Sequence, residues 1–169
     1  MSNAARTVTL ALLALTSTLG IAGCSSGPQM VTLSFQARSV EREAIDLGAE
    51  GSSPGDLIAA YGDLLDADGQ VIGQFDVYTV VSRVLDSADG RFVQAEYSFG
   101  DDGTDSFLIA GADQFSSDGG LPAVKRPAIY AVTGGTGIYK GAHGQCDVFR
   151  NEDPKAFTTT VNCSFAVLD

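Results

Sequence analysis

Basic side chains are scarce in this sequence. Ten lysine and arginine residues stand against 21 aspartate and glutamate residues, which gives a formal net charge of -11 over 169 residues. A strongly negative surface repels phosphate groups and anionic lipid headgroups, so the composition argues against nucleic acid as a partner. With 44% hydrophobic residues, the chain is suited to one soluble domain with an acidic surface.

Residues with metal-binding or nucleophilic spacing are also lacking. The single histidine, His143, has no cysteine or carboxylate beside it at metal-ligand spacing and no nucleophile-base motif around it. Asp66-Ala-Asp68-Gly resembles the start of a calcium loop, but the rest of that loop and its terminal glutamate are missing. We therefore predict a solvent-exposed histidine, turn-forming aspartates, and neither a metal nor another cofactor.

No stretch has the periodicity of an amphipathic helix, and the segment from 128 to 149 is typical of a β-hairpin instead. Its first residues alternate in polarity, and Gly134, Gly135 and Gly137 can adopt the positive φ of a tight turn. The same glycines loosely imitate a dinucleotide-binding loop. Such a loop opens a helix, however, whereas the residues that follow here alternate like a strand. Nucleotide binding is therefore not expected.

Polarity alternates along eight segments joined mostly by Gly/Asp turns. We predict strands at 30–37, 56–65, 71–85, 91–99, 104–110, 128–133 and 157–168. One more strand is predicted in the alternating run that follows the glycine turn and ends at 149. The stretches 39–55 and 111–126 are predicted as loops, the second long enough to suggest a function. Sequential hairpins favour an all-β fold, an eight-stranded antiparallel up-and-down β-barrel, which leaves no exposed edge strand. Its interior could hold side chains alone or one small ligand, and both alternatives stay open.

The N-terminal residues form a separate targeting segment. Arg6 precedes an apolar run, 8–15, that is too short to span a bilayer, and small residues lead up to Cys24. This pattern resembles a bacterial lipoprotein signal, which implies cleavage before Cys24, lipidation of that cysteine, and export to the cell envelope, where the lipid anchors the protein to the membrane. An ordinary secretory signal is the alternative. We predict three segments: a signal peptide at 1–23, a tether at 24–29 and the barrel domain at 30–169.

Lipidation of Cys24 would leave two other cysteines, Cys146 and Cys163, in a compartment where disulfides form. If Asn151 and Thr158 close the last hairpin as an opposed pair, the two cysteines lie equally far from that pair on facing strands. Their Cα atoms would then be about 4.5 to 5.5 Å apart. This register predicts a cross-strand disulfide. Two small buried hydrophobic side chains are the alternative.

Several segments together resemble the allene oxide cyclase and dirigent barrel superfamily. The most similar is the glycine hairpin, Ala131-Val-Thr-Gly-Gly-Thr-Gly-Ile-Tyr-Lys-Gly-Ala-His-Gly-Gln145. The others are Gly55-Asp-Leu-Ile58, Gly90-Arg-Phe92, Glu96-Tyr-Ser-Phe-Gly-Asp-Asp-Gly103, and Leu64-Leu-Asp-Ala-Asp-Gly-Gln-Val-Ile-Gly73, which is similar to bacterial barrel cyclases that form spirotetronates. The resemblance spans most of 30–168 and implies the barrel fold, whereas activity varies within such a superfamily.

The catalytic residues of plant allene oxide cyclases do not carry over to this chain. The resemblance places Ser34 and Gln36 where that family has an inward glutamate and asparagine, and neither can replace a carboxylate. Gly62 and Tyr78 stand near a further family asparagine and a cavity cysteine. Cyclisation of allene oxides is therefore not expected, and no catalytic residue is predicted.

A hollow barrel would present aromatic side chains to a ligand. We predict ligand contacts from Tyr78, Tyr97, Phe99 and Phe107, with Ser34, Gln36 and Arg83 as polar partners. The first functional hypothesis is a non-enzymatic, lipid-anchored barrel that binds a small hydrophobic molecule at the membrane. The alternative is a cyclase or isomerase that shapes a reactive apolar substrate without a cofactor. A structural envelope role is a third hypothesis, and the resemblance also allows homo-oligomers, since plant relatives form trimers and dimers.

Overall fold

A computed structural model of the chain describes residues 27–86, 88–100, 102–116, 127–151 and 157–168. The strands are β1 Gln29–Ile45, β2 Leu57–Leu65, β3 Val71–Val84, β4 Ala88–Phe99, β5 Asp105–Ser116, β6 Ala128–Gly135, β7 His143–Arg150 and β8 Thr158–Val167. Each is antiparallel to the next, and β8 pairs with β1 to close the barrel. The predicted eight-stranded up-and-down barrel is confirmed.

Helical structure is minimal in the described part of the chain. It consists of one 3-10 turn, Gly137–Tyr139, within the glycine hairpin, so this part contains no helix that could cross a membrane. The predicted signal peptide, Cys24 and half of the tether lie outside the described residues, and so does most of the predicted loop at 111–126.

The first strand is longer than the sequence predicted. β1 continues through half of the expected loop at 39–55 and ends at Ile45. A β-bulge between Ser39 and Glu41 shifts its register against β2. Because one extra residue reverses which side chains face inward, the alternation is interrupted at the bulge, and a single period of two no longer fits the whole strand. Beyond the bulge, Arg42 borders the interior at the end of the barrel, and the residue stays exposed.

Two further boundaries differ from the predictions. β4 begins at Ala88, inside the expected turn at 86–90, so Asp89 is a strand residue with a buried side chain. β5 runs on to Ser116, where it pairs with Ala88. Here, continuous pairing between long neighbouring strands overrides the turn preference of aspartate and glycine.

Inward side chains fill one half of the barrel, which we call the closed half. It lies beside the turns that join β2 to β3, β4 to β5 and β6 to β7. Its core is a cluster of aromatic rings from four strands and the 3-10 turn: Phe35, Tyr97, Phe99, Phe107, Tyr139 and Phe165. Neighbouring centroids are 4.9 to 6.5 Å apart, mostly in edge-to-face or tilted arrangements that aromatic pairs favour. In this half, the side chains fill the interior.

The two cysteines face each other as the register predicted. The backbone N–H of Asn151 donates to the carbonyl oxygen of Thr158 at 3.0 Å, which closes the β7–β8 hairpin. Cys146 is then directly opposite Cys163. They form a disulfide with Cα atoms 4.0 Å apart, somewhat closer than expected, and both side chains are buried. The predicted cross-strand disulfide is confirmed.

Gly137 is one of the positions in the glycine hairpin that require glycine. Gly137 has φ of 55°, and an added Cβ would lie 2.0 Å from Asp105 Oδ1 and 2.8 Å from the carbonyl oxygen of Thr104. Asp105 Oδ1 also accepts a hydrogen bond from the Ile138 N–H at 3.0 Å, so this carboxylate cannot move without losing that bond.

We therefore expect Gly137→Ala to lower the free energy of unfolding by about 2 kcal/mol. Urea denaturation of the purified variant measures this change. Gly134→Ala is the matched control, because a Cβ there meets nothing within 4 Å and its φ is not positive, and it should change stability by less than about 0.5 kcal/mol. Equal losses in the two variants would contradict the steric explanation.

Candidate functional site

The other half of the barrel, which we call the open half, is hollow. A cavity of about 120 Å³ runs from the middle of the barrel towards the end where β1, β3 and β7 finish. Its apolar lining comes from Ala37, Ile58, Ala60, Phe75, Val77, Val93, Ala95, Ile109, Phe115 and Val148. The two alternatives left open by the sequence, a filled and a hollow barrel, are therefore both realised, one in each half.

The cavity exists because several inward positions of the open half carry small side chains. Ala95 lies between Val77 and Ile109 on neighbouring strands, whereas Tyr97, two residues further along β4, lies between Phe75 and Phe107. A layer of aliphatic and alanine side chains cannot fill the cross-section that the aromatic rings fill in the closed half. The step from Tyr97 to Ala95 thus marks the change from a packed interior to a hollow one.

Hydroxyl groups are present in this mainly apolar cavity. Tyr97 and Tyr130 line it, and burial, with a smaller effect of Tyr130, raises the pKa of Tyr97 well above its ordinary value. Tyr97 is therefore a neutral phenol at any physiological pH. Thr79 also lines the cavity, and its buried Oγ1 has no hydrogen-bond partner among the described residues. A buried hydroxyl without a partner costs free energy, so a ligand that bonded to Thr79 would recover that cost.

Cationic side chains lie at the outer part of the cavity. Arg42 from β1 and Arg150 from the end of β7 both line it, and its described lining contains no carboxylate and no histidine. Burial, and then the charge of Arg91, lower the pKa of Arg42, although an arginine stays charged under all relevant conditions. The described lining of the cavity thus contains two basic side chains and no acidic one, in a protein whose net charge is negative.

Arg91 belongs to a buried ion pair next to this cavity. Its Nη2 donates to Asp89 Oδ2 at 2.7 Å, and its Cζ lies 5.7 Å from the centroid of the Phe115 ring. Asp89 Oδ2 also accepts a hydrogen bond from Ser52 Oγ at 2.7 Å. Because Ser52 belongs to the loop between β1 and β2, this bond holds that loop against the open end of the barrel.

Asp56 orders the same loop, which spans 46–56. Its carboxylate accepts hydrogen bonds from the Leu47 N–H at 3.0 Å, from the Ser53 N–H at 2.6 Å and from Ser53 Oγ at 3.0 Å. The backbone bonds, that from Leu47 first, lower the pKa of Asp56 below its ordinary 3.8. Because the pKa of Asp56 is lower in the folded protein than in the unfolded chain, these bonds stabilise the loop at pH values above the pKa of the unfolded state. This stabilisation is lost as the pH falls through the pKa of the folded state.

We expect the loop amides to keep their protection from hydrogen exchange at neutral pH and to lose it before the barrel amides when the pH falls below 3.8. NMR exchange rates at Leu47 and Ser53 measure this, and a titration of the Asp56 carboxyl gives its pKa. Asp56→Asn should weaken protection of both amides already at neutral pH. An Asp56 pKa at or above 3.8 would contradict the proposed bonding.

The structure separates the side chains predicted to contact a ligand into three groups. Tyr97 lines the cavity, and its contact with a ligand stays a prediction. Phe99 and Phe107 belong to the aromatic cluster of the closed half and fill it. The remaining four are exposed, and none of them lines the cavity: Ser34, Gln36, Tyr78 and Arg83.

The placement of those four residues corrects the sequence prediction. Ser34 and Gln36 alternate with the buried Phe35 and Ala37, so they face solvent, and Ser34 Oγ donates to Asn162 Oδ1 on β8 at 2.8 Å. Tyr78 likewise alternates with inward Val77 and Thr79. Arg83 lies beyond a bulge in β3 and packs over Gly90, where an added Cβ would lie 2.7 Å from Arg83 Cγ. For Ser34, Gln36 and Tyr78, the position that the family resemblance implied gave way to strand parity.

Sequence reasoning missed the arginines of the open half for different reasons. Arg91 shares the parity of Val93 and Ala95, so alternation placed it inward, but a charged residue is rarely assigned to a barrel interior. Arg42 had no usable signal, because the bulge that turns it inward depends on pairing with β2. Arg150 ends a strand whose boundary was uncertain.

Comparison with solved structures identifies the fold. No family model and no curated protein matches the chain. It is similar to a pyocyanin demethylase, with 18% identity, a TM-score of 0.62, and coverage of 79% of this chain and 99% of that one. It is similar to the pterocarpan synthase dirigent protein GePTS1, with 14% identity, a TM-score of 0.60, and coverage of 90% and 98%. It is also similar to the Diels–Alderase AbmU from Streptomyces koyangensis, with 12% identity, a TM-score of 0.62, and coverage of 85% and 71%.

The sequence identities are low, so the similarity lies in the arrangement of the strands and covers most of this chain. The names of the similar structures range from a demethylase through dirigent proteins to Diels–Alderases, so the shared fold does not specify an activity. The chain therefore shares the eight-stranded barrel fold of these solved structures.

Proposed function

We propose that this protein binds a small, mainly apolar molecule in the open half of its barrel. The cavity beside the closed aromatic cluster is the observation that carries the proposal. Its volume of about 120 Å³ is close to that of apolar cavities, roughly 150 Å³, that bind a single aromatic ring. A ring-sized body therefore fits inside, and a longer molecule would extend through the end formed by Asn151 and Thr158.

The fluorescent apolar probe N-phenyl-1-naphthylamine tests this function. We expect saturable enhancement of its fluorescence with one site per chain. Ala95→Phe should weaken binding by about tenfold or more, equivalent to about 1.4 kcal/mol, because the new ring occupies the cavity. Ala131→Phe adds the same side chain on the exposed outer face of β6 and should leave the affinity unchanged. Absence of saturable binding to the folded wild-type protein would refute the proposal.

We also propose that the barrel works at the membrane, held by a lipid on Cys24. The support is the sequence: a short apolar run and small residues precede the cysteine, and a polar tether follows it. Mass spectrometry of the mature protein tests this, since the expected N-terminal residue is an acylated cysteine. Cys24→Ala should release the protein from the membrane fraction. An unmodified Cys24 in the mature wild-type protein would refute lipidation.

Catalysis is the second candidate, favoured by Thr79, whose hydroxyl faces the cavity without a hydrogen-bond partner in the described chain. The names of similar structures include a Diels–Alderase and a pterocarpan synthase, which supports a cyclase or isomerase as much as a carrier. Since the described lining has no carboxylate or histidine, such an enzyme would act by holding a reactive conformer and donating a hydrogen bond.

A small linear triene that closes slowly by an intramolecular [4+2] reaction is a suitable test substrate. If the cavity templates the reaction, the product should show an enantiomeric excess, which Ala95→Phe abolishes and Ala131→Phe preserves. Thr79→Val should lower the rate more than it lowers substrate affinity. Racemic product formed at the uncatalysed rate would count against this second function.

A further inference from the structure

One hydroxyl group interrupts an otherwise apolar row of side chains inside the barrel. The row belongs to β3, where the inward positions are Phe75, Val77, Thr79 and Val81. Thr79 is only 7% exposed, and its Oγ1 has no hydrogen-bond partner among the described residues. Valine has nearly the same shape and would leave no unpaired polar atom at this position. The hydroxyl therefore needs an explanation other than packing.

Thr79 borders the space that the alanines of the open half leave free. On the side towards the aromatic cluster, Val77 lies between Ala60 on β2 and Ala95 on β4, and all three line the cavity. Thr79 is two residues further along β3, and two residues of a strand span about 7 Å. A ring with one substituent bridges such a distance. A ring packed against the alanines would thus bring its substituent level with the Thr79 hydroxyl.

The polar side chains around the cavity can all donate hydrogen bonds. The described lining contains hydroxyl, guanidinium and amide groups, and neither a carboxylate nor a histidine is among them. Burial raises the pKa of Tyr97, which keeps this phenol a donor as well. A lining rich in donors and without purely accepting side chains suits a ligand that accepts hydrogen bonds.

The surroundings of Thr79 also argue against a charged substituent. Thr79 lies between Ile58 on β2 and Val93 on β4, and both neighbours line the cavity. Burying a charge among such side chains costs far more free energy than one neutral hydroxyl group can offset. An uncharged acceptor fits this level of the cavity, and a carbonyl oxygen is the simplest group of that kind.

We propose that the ligand is an uncharged single-ring carbonyl compound. Its ring occupies the space beside Ala60 and Ala95, and its carbonyl oxygen accepts a hydrogen bond from Thr79 Oγ1. The inference rests on the proposed binding function and names the ligand class. In the complex, the hydroxyl and the carbonyl group both lose water, and each is the partner of the other, so neither stays buried and unpaired.

Acetophenone and α-methylstyrene test the proposal, because they have nearly the same shape and differ in a carbonyl oxygen against a methylene group. In NMR titrations, Thr79→Val should weaken acetophenone binding about three- to tenfold, the value of one hydrogen bond, and should not weaken α-methylstyrene binding. Thr32→Val removes an exposed hydroxyl from the outer face of β1 and should leave both affinities unchanged.

The stability of the free protein provides a second measurement. Without ligand, Thr79→Val should be at least as stable as the wild-type protein in urea, because the substitution removes a buried hydroxyl that has no partner. A lower free energy of unfolding would show that the hydroxyl already has a hydrogen bond in the free protein, and this result would overturn the proposal.

The binding outcomes separate this inference from the function on which it rests. If Thr79→Val changes the affinity for both compounds equally, or if acetophenone fails to bind while N-phenyl-1-naphthylamine binds, only the carbonyl assignment is wrong. No binding of either compound, together with no binding of N-phenyl-1-naphthylamine, would overturn both proposals.

Discussion

Replacing Phe107 by alanine is expected to lower the free energy of unfolding by about 3–5 kcal/mol, the range found for large aromatic side chains removed from a packed core. Phe107 is completely buried, and its ring contacts those of Phe35, Tyr97, Phe99, Tyr139 and Phe165. Since these rings come from several strands and from the glycine hairpin, the remaining core cannot collapse around the vacated volume. Equilibrium denaturation in urea measures the loss.

Phe92→Ala is the matched control for this experiment. Phe92 lies on neighbouring β4 but points outward and is 61% exposed, so its removal should change stability by no more than about 0.5 kcal/mol. Phe107→Leu should fall between the two variants, which keeps the comparison measurable if the alanine variant does not fold. Similar losses for Phe107→Ala and Phe92→Ala would contradict the assignment of the closed half as the stabilising core.

Removal of the disulfide is expected to lower the free energy of unfolding by about 3 kcal/mol, because Cys146 and Cys163 close a loop with a sequence separation of 17. The bond restricts the unfolded chain and links β7 to β8 inside the core. The double variant Cys146→Ala/Cys163→Ala, compared with the oxidised wild-type protein in urea, measures this contribution.

Added reductant provides the control for the disulfide. It should shift the denaturation midpoint of the wild-type protein towards that of the double variant and leave the double variant unchanged. A wild-type midpoint that does not respond to complete reduction, verified by thiol titration of the denatured protein, would contradict a stabilising disulfide.

The two halves of the barrel differ in how their interiors are packed. Aromatic rings pack in the closed half, where Phe107 is central, and small side chains such as Ala95 leave space in the open half. Side chains that line a cavity lack the dispersion contacts that they would make in a filled interior. The packed half therefore supplies the dispersion contacts that the hollow half lacks, and the hollow half supplies the space that the proposed ligand needs.

The strand pattern, the hairpin turns and the cysteine register could be predicted from the sequence, because each depends on residues close together in the chain. Val93, Ala95 and Tyr97 alternate with polar residues on β4, which places them inward in any sheet of this kind. The opposition of Cys146 and Cys163 needed only the position of one hairpin. Short-range periodicity and pairing are local properties, and they were sufficient for the fold.

The cavity and its charge depend instead on contacts between strands that are distant in the sequence. The bulge after Ser39 turns Arg42 inward only when β1 pairs with β2, and no local pattern reveals it. Whether an inward side chain meets packed rings or open space depends on which residues of the other strands share its level in the barrel. Tyr97 and Ala95 have the same parity, yet one packs against Phe35 and Phe107 while the other borders empty volume, because closure of the barrel sets those levels.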